Sequence, residues 1–467
     1  MNREEPEQTG YSRTGRVNGT GQTGETAETG GGEVKRDEAA PAPLPAAPAS
    51  SPAPEHATPL AEATFFTRSR LSGVGLALLA GLCLTLIQLA AALSVAPGSN
   101  LAERYYSLFQ HDSFWFENIM VRGYVSTVPP APYKSYDVSN VAFFPAYPYL
   151  AGWMLERLDL DTREALLLTS QLAAWLFWSY AAALLLRWRT PWPAAVAVLG
   201  VIGTHPAAFY LVAAYSEALF LAALVGFLFW SSRAGAGSAI LAAAHGFCMT
   251  ATRIVGIPCV AAAGGGDRGF FRRLERRIWI GFVSLLGAAL FFALCQGRFG
   301  SWDFYMQTQQ AGWGVMPEYL EPLRLENYTH IAPDWTEPRE VAEFSLAVTL
   351  WMAVALGAAE VAARRQAQRR GISSGFMQRL PFYFCAAVVF YVSMAGVASV
   401  AFESMIRYQF CTYALAALAA AHLLACVPPR SKAVRAVLWA LAALLIAAGA
   451  YLQAYYAAVF TRGGWFA

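Results

Sequence analysis

The chain has 467 residues, 56% of them hydrophobic and 14% charged, with a mean hydropathy of +0.38, a balance that a soluble enzyme of this length does not carry. The net charge of +3 is small and the arginines are bunched in short stretches, which argues against nucleic acid as a partner and reads instead as a membrane-orientation signal. Seven cysteines without CxxC spacing and six scattered histidines supply neither a disulfide framework nor a protein-built zinc site, leaving only a divalent ion held loosely on carboxylates as an open metal question.

Residues 1–64 are rich in Gly, Thr, Glu, Pro and Ala, too poor in large apolar groups to offset ordering entropy, so a disordered cytoplasmic tail is expected. No basic stretch runs directly into an apolar one there, and the first apolar run, 71–96, reads as a signal anchor. Further runs such as 165–186 and 434–451 are long enough to cross a hydrocarbon core of roughly 30 Å as helices. The expected fold is therefore all-α, a polytopic membrane domain over 65–467 with about ten to twelve membrane segments.

Arg68 and Arg70, Arg187 and Arg189, the cluster Arg268, Arg272, Arg273, Arg276 and Arg277, then Arg364 to Arg379 and Arg430 to Arg435, mark cytoplasmic loops. Two long loops, 97–160 and 297–340, then face outward, toward periplasm or lumen. Spans placed at 72–96, 164–187, 191–204, 209–231 and 237–263 would put the Arg272 cluster on the wrong side. Breaking the fifth of them near Thr250 to Arg253 restores the parity and leaves an arginine at the outer break. A broken helix at membrane depth must be covered by protein or line a watery cavity, so a site near Arg253 is expected.

The first outer loop carries His111-Asp112-Ser113-Phe114-Trp115-Phe116, Arg122-Gly123-Tyr124 and Phe143-Phe144-Pro145-Ala146-Tyr147-Pro148. Its rings suit an interfacial belt, whereas Asp112, a carboxylate just past a span among groups that lower the dielectric, suits a general base. Ionisable residues in apolar segments are costly unless paired, which singles out Glu217, Arg253 and Arg407. Glu217 and Arg253 can pair with each other; Arg407, next to Tyr408, can grip a phosphate or snorkel to the interface. His205, before Pro206, reads as a helix-boundary residue, and Asn327-Tyr328-Thr329 is a glycosylation pattern that matters only in a eukaryotic lumen.

In this order the segments resemble the PIG-V family, the mannosyltransferases that add the second mannose of GPI anchors, and its bacterial relatives. The resemblance rests on the Asp112 motif, on Arg122-Gly123-Tyr124, on the Phe143 to Pro148 signature, on Tyr215-Ser216-Glu217 and Ala251-Thr252-Arg253, and more weakly on Gln309 to Trp313 and Arg407-Tyr408. His111 stands where the family has Trp, and Ala146 where it has Leu. The resemblance implies the type C glycosyltransferase architecture, a polyprenyl-phosphate mannose donor, a lipid or glycan acceptor and Asp112 as catalytic base. His111, Trp115, Arg122, Tyr147, Glu217, Arg253, Gln309 and Arg407 are expected as substrate-binding residues, Arg253 and Arg407 as those that stabilise the phosphate. Alanine-rich spans lean toward a bacterial cytoplasmic membrane over the ER. A multi-pass transporter or flippase is the competing class, set aside because the two halves show no internal repeat, and a non-catalytic partner subunit is a third.

Overall fold

The computed structural model describes residues 68–126, 139–264, 266, 269–334, 337–429 and 431–465; the expected tail 1–64 lies outside them. Every regular element among the described residues is helical. In chain order the α-helices are α1 (Arg68–Val95), α2 (Leu101–Tyr106), α3 (Ser113–Arg122), α4 (Ala146–Leu158), α5 (Thr162–Arg187), α6 (Trp192–Gly203), α7 (Glu217–Ser231) and α8 (Ala236–Thr252). They continue with α9 (Gly256–Cys259), α10 (Phe270–Phe299), α11 (Phe304–Trp313), α12 (Pro338–Arg370), α13 (Phe376–Val397), α14 (Met405–Cys426) and α15 (Lys432–Thr461).

Seven of these, α1, α5, α10, α12, α13, α14 and α15, are long and apolar enough to cross a membrane. The protein is an integral multi-pass membrane protein. Two further apolar helices among the described residues, α6 and α7, are shorter. Helix α7, with 15 residues, spans only about 22 Å, less than the roughly 30 Å of a hydrocarbon core. It is apolar on every side and buried almost throughout, as a helix enclosed by others must be. Glu217 is therefore held at the first turn of the most enclosed helix, where the helix dipole favours a carboxylate.

Helix α8 ends at Thr252, Arg253 is extended (φ −153°, ψ 144°), and a short helical stretch from Gly256 to Ala262 follows, so the chain breaks where the arginine parity requires. Small residues bring the helices around this break close together. A Cβ on Gly287 of α10 would lie 2.2 Å from the Phe247 carbonyl oxygen of α8, and one on Gly81 of α1 would lie 2.2 Å from Ser179 Oγ of α5. Such close approach lets packing contacts, rather than water exclusion, hold helices together in lipid.

The arginine-bearing helix ends gather at one end of the bundle. Arg187 donates to Ser232 (3.0 Å), and buried Arg276 donates to the carbonyls of Arg233 (2.6 Å) and Gly235 (2.8 Å). Fully buried Arg379 clamps Glu360 at 2.6 and 3.0 Å and donates to the Ser374 carbonyl at 2.7 Å, joining the end of α12 to the start of α13. At the opposite end the chain before α3, the starts of α7 and α14, the break after α8 and the residues after α15 converge.

Candidate active site

Asp112 is set by its neighbours on both sides. His111 adopts a left-handed conformation (φ 49°), uncommon for a residue with a Cβ. Asp112 itself occupies the N-cap of α3 without capping it, so its carboxylate is free for other partners. The loop is fixed by the Asp112 N–H donating to the Tyr215 hydroxyl (3.3 Å) and by Ser113 Oγ donating to the Ala214 carbonyl (3.0 Å).

Arg407 arrives on the first turn of α14 after three non-glycine residues in the left-handed region, Ala401, Phe402 and Ser404 (φ 55°, 61° and 64°). Such strain persists only where surrounding packing over-determines it, and buried Phe402 and Met405 supply that packing against Leu346, Met394 and Val397.

The two segments meet. Arg407 Nη1 donates to Asp112 Oδ2 at 2.7 Å and Nη2 to the Tyr408 hydroxyl at 3.1 Å. Arg407 Nε lies 3.3 Å from Glu217 Oε1, off the axis of a hydrogen bond, while Arg253 Nη1 donates to that same oxygen at 2.8 Å. The side chains of Arg407 and Glu217 are 7% and 6% exposed, those of Asp112 and Arg253 18% and 21%. Two carboxylates and two guanidinium groups thus form one chain of ion pairs with no net formal charge. The Arg407 guanidinium carbon also lies 5.6, 5.3 and 5.0 Å from the ring centres of Tyr210, Tyr215 and Tyr408, within cation–π range. Glu217 Oε2 is buried and has no hydrogen-bond partner among the described residues.

These groups line a cavity of about 660 Å³, large enough for a lipid headgroup carrying a sugar. Its aromatic wall is built by Trp115, stacked on Phe143 (ring centres 5.9 Å apart) and edge-on to Trp313 (5.3 Å). Gln309 Nε2 donates to the Ala142 carbonyl (2.9 Å), tying α11 to the loop that carries Phe143. Burial pushes the Tyr305 hydroxyl well above its ordinary range, so it lines the cavity as a protonated group.

Of the nine residues singled out in the sequence, the cavity brings together seven: His111, Asp112, Trp115, Glu217, Arg253, Gln309 and Arg407. Tyr147 and Arg122 do not line it. Tyr147 is fully buried, its hydroxyl donating to the Leu166 carbonyl and meeting Ser170 Oγ, each at 2.8 Å, and its ring supports Phe116 from behind. Arg122 is exposed at the end of α3, while its neighbour Tyr124 is buried and donates to the Phe143 carbonyl at 2.7 Å. Tyr124 and Tyr147 therefore support the wall from outside the cavity, while Phe143 and Phe144 of the second motif line it. His205 is also absent from the lining; its Nδ1 accepts from the Ala207 N–H at 3.2 Å. The Asn327 amide donates to Glu321, at 2.9 Å to its carbonyl and 3.1 Å to its carboxylate.

Sequence reasoning missed Tyr305, Glu403 and Trp465, which also line the cavity. Tyr305 and Glu403 lie near segments already noted, but no pattern in the sequence points to Trp465. Among the described residues no three His, Cys, Asp or Glu side chains are placed to hold a metal ion. Asp112 and Glu217, the carboxylates at the centre, are each met by a guanidinium, a donor set that does not fit a protein-built cation site.

Neither a family model nor a curated protein sequence matches the chain. Among solved structures it is similar to ArnT from Cupriavidus metallidurans bound to undecaprenyl phosphate, at 13% identity and a TM-score of 0.46, over 82% of this chain and 74% of that one. It is also similar to the archaeal oligosaccharyltransferase AglB from Archaeoglobus fulgidus in complex with an inhibitory peptide and a dolichol-phosphate (13% identity, TM-score 0.40, 83% of this chain). The apo form of the Archaeoglobus fulgidus oligosaccharyltransferase gives 15% identity, a TM-score of 0.39 and 85% of this chain. The chain spans only 56% of the length of each of these two oligosaccharyltransferase structures.

Proposed function

We propose that the protein is a type C glycosyltransferase that moves a sugar, mannose by its resemblance to the PIG-V family, from a polyprenyl-phosphate donor to a lipid or glycan acceptor. The observation that carries this reading is the Asp112–Arg407 pair, 2.7 Å long, inside a cavity whose four central charges cancel. A proton acceptor and a phosphate-binding cation stand side by side, as displacement from a sugar phosphate demands.

Three helices, α3, α7 and α14, begin at this cavity, and their dipoles add positive potential to the two guanidinium groups. The donor is a phosphodiester with one negative charge. The acceptor oxygen attacks the anomeric carbon as the carbon–oxygen bond to phosphate breaks, with inversion, and the lipid phosphate departs with the bonding electrons and a second negative charge. Asp112 takes the acceptor's proton, which cancels its own charge and leaves Arg407, Arg253 and Glu217 with one net positive charge to face the phosphate. Positive charge is thus released at the moment the leaving group needs it, without moving a side chain far.

The arginine-bearing loops lie at the opposite end of the bundle, so the positive-inside rule supports a cavity on the outer face, and a bacterial cytoplasmic membrane is the setting we favour. The test is transfer by purified protein in liposomes supplied with polyprenyl-phosphate mannose, other hexoses or a pentose. Transfer from mannose supports the full reading, and transfer from another sugar alone replaces the donor. No transfer from any of them, with sugar or lipid moved across the bilayer, would favour a transporter.

A further inference from the structure

Helix α15 ends at Thr461, and the next residues turn back instead of running on. The N–H groups of Gly463 and Gly464 donate to the carbonyls of Phe460 and Val459, each at 2.9 Å. Gly463 is left-handed (φ 79°), and a Cβ on Gly464 would lie 2.7 Å from Val459 Cγ1, so the turn requires small residues at both positions. Beyond the turn, His111 Nε2 donates to the Gly464 carbonyl at 3.1 Å, and its ring meets the Trp465 indole edge-on at 4.8 Å. Arg407 also lies against the indole, its guanidinium carbon 5.9 Å from the ring centre. Trp465 therefore stands between the residue preceding Asp112 and the arginine that binds it. It lines the cavity yet remains 39% exposed, whereas most aromatic residues around it, such as Tyr215, are buried.

We infer that Trp465 is a substrate-binding residue whose indole is the stacking wall for the donor's sugar ring. A pyranose presents C–H bonds polarised by its oxygens, and the negative face of an indole attracts them. With the phosphate on Arg407, the attached sugar lies within reach of this ring. His111 acts as a positioning residue, holding the strap that carries the indole. This inference rests on the donor being a lipid-phosphate sugar, and it adds a residue that reads the sugar as distinct from the phosphate.

The test compares wild type, Trp465→Ala and Trp465→Phe in two measurements: transfer kinetics with polyprenyl-phosphate mannose, and equilibrium binding of polyprenyl phosphate without a sugar. Trp465→Ala should raise the donor KM roughly tenfold while sugar-free polyprenyl phosphate binds within about twofold of wild type, and Trp465→Phe should recover most of the loss. A KM unchanged in Trp465→Ala overturns the inference alone. So does an equal loss of affinity for the sugar-free phosphate, or a failure of Phe to rescue in a protein that stays monodisperse. A wild type that neither binds nor transfers from the donor overturns the functional reading, and this inference with it.

Discussion

Asp112→Asn is isosteric and removes two things at once, the proton acceptor and the charge that Arg407 holds at 2.7 Å. Loss of a general base costs about 10²- to 10⁴-fold in rate, roughly 3–5 kcal/mol on the barrier. Loss of the ion pair is a smaller matter for stability. Arg407 keeps Glu217 at 3.3 Å, and Asp112 is partly open at 18%, so the variant should lose only about 1–3 kcal/mol, less than a fully buried pair would. The assay is single-turnover transfer from the lipid-phosphate sugar, with thermal unfolding of the same preparation in detergent. Removing Arg407 as well should cost little further rate, because residues that act as a unit are strongly non-additive. Asp112 is not the base if Asp112→Asn retains transfer within about threefold of wild type, or if its loss of rate follows its loss of folded protein.

Arg407→Lys keeps the charge but not the planar fork, and should lower kcat by about 10²-fold with a smaller change in donor KM, read from steady-state kinetics. Glu217→Gln leaves Arg253, 21% exposed, without its charged partner at 2.8 Å and should destabilise the protein by about 1–3 kcal/mol in denaturant titration, a loss that Glu217→Gln with Arg253→Gln should partly restore. Tyr124→Phe deletes the buried bond to the Phe143 carbonyl and should cost about 1 kcal/mol of stability while transfer stays within about threefold. Arg122→Ala, at an exposed helix end, should leave transfer within about twofold of wild type.

The sequence makes buried charge visible because an ionisable residue in an apolar run is expensive, and Glu217, Arg253 and Arg407 stand out on that ground. Parity of the arginine loops likewise located the break at Arg253, since orientation is a global constraint that one miscounted span violates. Pairing is different. Asp112 and Arg407 are 295 residues apart, and no local pattern tells which carboxylate a guanidinium will meet. Motif resemblance grouped Arg122 and Tyr147 with the binding residues, although one is exposed and the other supports Phe116 from outside the cavity. Short motifs do not separate residues that touch a ligand from residues that hold a wall in place. Helix length was hard to read for a related reason: α7 is fully enclosed by protein, so it need not match the bilayer thickness that sets the length of a lipid-facing helix.

A single displacement is tested most directly by the anomeric configuration of the product made by the purified protein from a polyprenyl-phosphate sugar of known configuration. A single displacement by the acceptor, with Asp112 as base, predicts inversion in every turnover. Retention would require a covalent or ion-pair intermediate and would exclude a single displacement with Asp112 as base.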